Sequence, residues 1–275
     1  DVTLEWRPEV WIKDVTVHTS VRQNRIGVRA VVRNAGKTAY RGQIVFRVTG
    51  GAAGGPVMGP VEMEVSAGGE VSVEVSAKWT GWRAWSPHNP HLYFLETTLR
   101  TGGDVVDRTQ TRFGFREVWI EGGRILLNGV PQVWRGEWCH KSHAHWLRPE
   151  YVREWYRQIK DLNMNYVRMH TFPHPEYFLD IADEMGVCVC QESAIFGSGK
   201  AGAETPETWN NLRAHVRRIH GVAVRGQDVE LARDLGAQAI GQAARPLRQV
   251  GDEERHLLVA QLHVGAEAVT VGGAA

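Results

Sequence analysis

The chain has 275 residues, 43% of them hydrophobic and 23% charged, so it can bury a core and is not a disordered polymer. Its 32 Lys plus Arg balance 31 Asp plus Glu to a net charge of +1 with no dense basic block, which argues against nucleic acid as a partner. No apolar run approaches the roughly 18 residues of a membrane span, and Asp1-Val2-Thr3 does not open a secretory signal; nothing assigns a compartment or an oligomeric state.

From Trp11 to Glu117 the pattern has period two: Val28, Ala30, Val32; then Ile44, Phe46, Val48; then Val71, Val73, Val75. Such alternation marks half-buried strands, with turns at Asn34-Ala35-Gly36, in the glycine-rich stretch from Gly50 to Gly59, at Gly68-Gly69 and at Gly102-Gly103. About seven strands at this spacing predict an antiparallel sandwich over residues 1–118. The glycine-rich stretch reads as a hairpin loop, because strands flank it and no helix follows to present amides to a phosphate. Trp79, Trp82 and Trp85 precede Ser86-Pro87-His88-Asn89-Pro90-His91-Leu92-Tyr93, where two prolines three apart predict an extended entry into a strand. These tryptophans read as core and interface rather than sugar platforms.

Residues 119–211 change rhythm. Ile125-Leu126-Leu127, Asn128-Gly129 and Val130 to Trp134 predict a hairpin on a type I′ turn. Arg135-Gly136-Glu137-Trp138-Cys139-His140 follows. Pro149 opens a helix on which Tyr151, Val152, Trp155, Ile159 and Leu162 repeat at three and four. A strand at Tyr166–Met169, a helix at Glu176–Met185 stopped by Gly186, a strand at Val187–Gln191 and a helix start at Thr205-Pro206-Glu207 complete a parallel α/β pattern. Cys139, Cys188 and Cys190 form no even framework and read as reduced and buried. Cys139, His140, His143 and His145 are zinc-ligand types, but no second ligand group stands at finger-like spacing, and a surface loop is the plainer account.

Residues 212–275 are different again. All 11 Trp, 6 Tyr and 7 Phe lie at or before Trp209. An even spread would put about six of them in this tail. It also lacks Lys and Asn. Two readings stand: an altered reading frame or fused segment, or an alanine-rich helical tail with Val229, Leu231, Ala232, Leu235 and then Leu257, Leu258, Leu262 on helix faces.

The series Trp79 to Leu99, Arg112-Phe113-Gly114-Phe115-Arg116-Glu117 and Leu127-Asn128-Gly129 resembles the immunoglobulin-like domain of glycoside hydrolase family 2, the beta-galactosidase, beta-glucuronidase and beta-mannosidase group. The run from Asn163 through Arg168-Met169-His170-Thr171-Phe172-Pro173 to Asp183-Glu184-Met185-Gly186 resembles the first part of that family's (β/α)8 barrel. The resemblance implies an immunoglobulin-like β-sandwich followed by an incomplete barrel. It also implies hydrolysis of terminal β-linked sugars with retention, a carbohydrate partner and no organic cofactor. It places His140 after strand one, Arg168 and His170 after strand two, and Glu192 after strand three, around the sugar. Thr171 stands between the histidine and the aromatic residue that many relatives carry side by side.

Retention needs two carboxyl groups about 5 to 5.5 Å apart. The family takes its acid/base from an Asn-Glu pair closing strand four and its nucleophile from a Glu closing strand seven. This sequence has no Asn-Glu pair, and nothing after residue 211 resembles strands four to eight, so neither role is assigned and the piece is expected to be silent. A substitute pair of Glu137 and Glu192 is set aside, since the ends of strands one and three lie about 9 to 10 Å apart. Leu4-Glu5-Trp6-Arg7-Pro8 resembles the exit from the jelly-roll domain that usually precedes the sandwich, so a fragment is expected, with bare edges on strands one and three. The rival reading is a non-catalytic carbohydrate-binding or interaction module.

Overall fold

The computed structural model describes residues 4, 6–51, 54–139, 148–170, 174–191, 206–207, 210, 259–264 and 267–272. Contacts divide the chain into two compact units, one of Asp1–Ala84 with His91–Arg116 and one of Trp85–Pro90 with Glu117–Ala275.

The first unit holds seven strands, β1 (Val10–Ser20), β2 (Arg25–Asn34), β3 (Tyr40–Thr49), β4 (Val57–Val65), β5 (Glu70–Lys78), β6 (Leu92–Thr101) and β7 (Asp104–Gly114). They form two antiparallel sheets, ordered β1-β2-β5 and β4-β3-β6-β7, in a β-sandwich. The period-two residues turn inward as expected: Val28, Ala30 and Val32 from β2 and Ile44, Phe46 and Val48 from β3 are all buried. Each of these Val, Ile and Phe side chains contributes roughly 1.5 to 3 kcal/mol by leaving water. The glycine-rich stretch is the β3–β4 hairpin loop. Asn34 ends β2 almost without exposure, and its Nδ2 donates to the Thr38, Val65 and Ser66 carbonyls at 2.9, 3.1 and 3.2 Å while its Oδ1 accepts from Gly36 N at 2.8 Å. Trp79 is buried with its ring edge-on to Tyr93 and Phe115, and Trp82 stacks on Phe115 at 4.3 Å. These rings serve packing.

The second unit begins with two tight hairpins, β8 (Val118–Glu121), β9 (Arg124–Leu127) and β10 (Val130–Pro131). Asn128 and Gly129 take φ of 53° and 85°, and Leu127 faces Val130 directly, which is the predicted two-residue turn. There follow β11 (Gly136–Cys139), α1 (Pro149–Asp161), β12 (Tyr166–Met169), α2 (Glu176–Met185) and β13 (Cys188–Gln191). β11, β12 and β13 pair in parallel, as the strand–helix alternation requires. Val152, Trp155, Tyr156 and Ile159 of α1 and Phe178, Ile181 and Ala182 of α2 pack on Cys139, Val167, Met169 and Val189 of the strands. All three cysteines are buried free thiols. Pro206, Glu207 and Asn210 are helical; the rest of that predicted helix lies outside the described residues.

Two expectations are corrected. Residues 86–89 are not extended: Ser86 and Asn89 exchange backbone hydrogen bonds of 3.0 Å in both directions, closing a turn. Ser-Pro-His-Asn puts Pro87 at the position where its fixed φ suits a turn, and this local preference wins over the extended one. Nor is the edge of β13 bare. β14 (Val259–Val264) pairs with it antiparallel and with β15 (Glu267–Gly272) beyond, giving a sheet ordered β11-β12-β13-β14-β15. An unpaired edge is a template for any β-prone segment, and the tail supplies one. Leu262 is therefore in a strand and not on a helix face, while Val229, Leu231, Ala232, Leu235, Leu257 and Leu258 lie outside the described residues.

Candidate functional site

The two faces of β11, β12 and β13 have different fates because side chains alternate along a strand. In register, Glu137, Val167 and Val189 share a row, as do Cys139, Met169 and Gln191, and the apolar members of both rows lie under α1 and α2. The intervening row is Trp138, Arg168 and Cys190, so those side chains belong to the other face. There Trp138 keeps 55% of its surface exposed. Arg168 is exposed beside it and Cys190 is buried.

His170 follows the last residue of β12. Its backbone N–H donates to Cys139 O at 3.1 Å, carrying the parallel ladder one step further, and its imidazole meets the Trp138 ring at 4.9 Å with an interplanar angle of 69°. Lower on the sheet, Trp134 and Tyr166 stack face to face at 5.4 Å and 1°. Asn165 ties the strand starts together. Its Oδ1 accepts from Arg135 N at 2.9 Å, its Nδ2 donates to Val133 O at 3.2 Å, and its carbonyl accepts from Cys188 N at 2.9 Å. Side-chain and main-chain groups of one residue thus hold the approaches to β11, β12 and β13, a role that a lone Asn between a helix and a strand does not announce in sequence.

Of the four predicted sugar-binding residues, Arg168 and His170 stand near the C-terminal end of the parallel strands, with Trp138 in register with Arg168 and its ring against His170. His140 and Glu192 lie outside the described residues; each follows in sequence the last residue of its strand. Trp138 shares the face of Arg168, as alternation from buried Cys139 requires, although its residue type alone does not mark it. Glu137 is on the other face, where its Oε1 accepts a 2.6 Å hydrogen bond from Trp155 Nε1. Glu137 and Arg168 therefore lie on opposite sides of the sheet, while Glu192, the other member of the substitute carboxylate pair, lies outside the described residues. A flat indole, an imidazole and a guanidinium on one strand-end face can stack on a sugar ring and hydrogen-bond its hydroxyls.

The described part of the chain is a β-sandwich followed in sequence by parallel strands with aromatic and basic groups near their C-terminal ends. The chain resembles the glycosyl hydrolases of family 2, and the model of that family, Glycosyl hydrolases family 2, matches residues 10–116. A beta-galactosidase of Alteromonas mediterranea is 32% identical over 116 residues, covering 40% of this chain and 11% of its own length. A beta-galactosidase of Priestia megaterium is 25% identical over 225 residues, 78% of this chain and 21% of its own. Among solved structures, a family 2 beta-galacturonidase from Eisenbergiella tayi bound to galacturonate superposes with a TM-score of 0.65 and 26% identity over 75% of this chain and 38% of that one. The chain thus spans about a tenth to a fifth of the length of the curated relatives it matches.

Proposed function

We propose that the chain is a central piece of a family 2 glycoside hydrolase acting on terminal β-linked sugars. Residues 1–118 are its immunoglobulin-like sandwich, residues 119–211 the first three strands of its (β/α)8 barrel, and residues 212–275 an unmatched tail. The observation that carries this reading is the placement of Trp138, Arg168 and His170 at the C-terminal ends of parallel strands, where barrel enzymes hold their substrates. In this reading Trp138 offers its ring to the apolar face of a sugar, Arg168 and His170 donate to hydroxyls, and His140 and Glu192 complete the pocket. The parent reaction is hydrolysis with retention through two carboxyl groups. The chain on its own binds sugar without cleaving it, because its sequence has no Asn-Glu pair and Glu137 is committed to Trp155.

Calorimetric titration with galactose, glucuronate, galacturonate and mannose, run beside an aryl-glycoside assay, tests the reading. Saturable binding of one sugar with no turnover supports it. Turnover above that of a heat-denatured control overturns the claim that the catalytic pair is absent, and no binding of any sugar overturns the site.

A further inference from the structure

Residues Trp85–Pro90 are flanked on both sides by strands of the first unit, yet they pack with the second. Within it they make an unusual set of bonds. Trp85 is fully buried, and its indole Nε1 donates to Asp183 O at 2.8 Å. That carbonyl is one of the last four of α2, which a helix leaves without partners of its own. The Trp85 carbonyl in turn accepts from Asn128 Nδ2 at 2.9 Å, anchoring the segment to the β9–β10 turn. Behind Trp85 the Ser86–Asn89 turn presents Pro87 O to Lys160 Nζ at the end of α1, and the same ammonium reaches Gly186 O at 3.5 Å.

Gly186 is the corner where α2 ends and the chain turns into β13. It adopts φ 74° and ψ 42°, a left-handed conformation that favours glycine, and a Cβ there would come within 2.4 Å of Pro87 O. Val187 N then returns to Ala182 O and Cys188 N bonds Asn165 O, both at 2.9 Å, after which β13 runs to Gln191. Cys190 of β13 lies in register with Arg168.

We propose that Trp85 is a positioning residue for β13: its indole N–H terminates α2 from outside the helix and, with the Ser86–Asn89 turn and Lys160, sets the Gly186 corner that aims this strand at the Arg168 face. Trp85 touches no substrate in this scheme. It acts through the corner, and the significance of that aim rests on the sugar-site reading above, while the positioning itself does not.

The test uses the full chain with Trp85→Phe, which keeps a ring but has no N–H, and Gly186→Ala, which leaves Trp85 intact but crowds Pro87 O. Amide exchange and the Arg168 Nε–H resonance are followed by nuclear magnetic resonance, with Val28 and Ala30 of β2 as internal controls. In Trp85→Phe the amides of Val187 and Cys188 exchange about tenfold faster, as expected for one lost hydrogen bond felt locally; in Gly186→Ala they accelerate because the crowded corner must shift; in both the Arg168 signal shifts and the β2 amides keep their rates. Unchanged exchange at Val187 and Cys188 in Trp85→Phe overturns the proposal. So does equal acceleration of the β2 amides, because Trp85 is then merely part of a global core. If the wild-type chain binds no sugar, the site reading fails, and these exchange rates still decide the role of Trp85.

Discussion

Glu137 and Trp155 are joined by a 2.6 Å hydrogen bond from the indole Nε1 to the carboxylate Oε1, on the helix-covered side of the parallel sheet. The one carboxylate within β11 is thus spent on holding α1 to the strand, and its neighbour Trp138 is left to face the opposite way.

Glu137→Gln keeps an oxygen acceptor for Trp155 but turns a charge-assisted bond into a neutral one. It is expected to lower stability by about 1 kcal/mol and leave sugar affinity unchanged. Thermal unfolding and calorimetric titration check both halves; a large loss of affinity with stability intact would place Glu137 in the site after all.

Trp138→Ala removes an exposed ring and little core. Sugar affinity is expected to fall about tenfold, with unfolding free energy changed by less than about 1 kcal/mol. Titration and urea denaturation separate these effects, and an unaltered affinity refutes the stacking role.

Asn34→Ala strips one buried side chain that makes four hydrogen bonds in the first unit. The carbonyls of Thr38, Val65 and Ser66 each lose one donor, Ser66 O keeping that from Gly69 N, and a loss of about 2 to 4 kcal/mol is expected. Asn34→Asp is expected to be at least as damaging above pH 5, since it sets a carboxylate against three carbonyl oxygens. Urea midpoints of the two variants provide the measurement.

On α1, the hydrogen bonds from Arg157 and Gln158 hold the Glu154 carboxyl at about 2, below its ordinary 4.5. A depressed carboxylate adds stability that is present above the unfolded value and lost as pH falls through the folded one, here between about 4.5 and about 2. The group is solvent-exposed, so the gain is small and screened by salt. Glu154→Gln is expected to make the fall in melting temperature over that window slightly shallower than in the wild type at low ionic strength. A wild-type profile equally flat at low and high salt would contradict this.

Much of the architecture follows from patterns a few residues long. The alternation in β2 and β3, the Asn128-Gly129 turn, the helix between Pro149 and Asp161 and the stop at Gly186 each depend on neighbours in sequence, which is why they could be read before any pairing was known. The position of Arg168 one residue before the end of β12, and of His170 just beyond it, was legible for the same reason, because the sequence marks the length of that strand.

What chain-distant groups decide was hidden. Both Glu137 and Trp138 are compatible with either face of β11, and the choice came from α1, which covers one face and offers Trp155 to the carboxylate. The tail's pairing was concealed because β14 joins β13 across some seventy residues, and backbone groups at a sheet edge accept a strand without regard to its origin. Trp85 likewise looked like one of three similar tryptophans. Only the folded chain separates it, bringing Asp183 to its indole N–H over 98 residues of sequence and so giving the end of α2 a partner that no local pattern encodes.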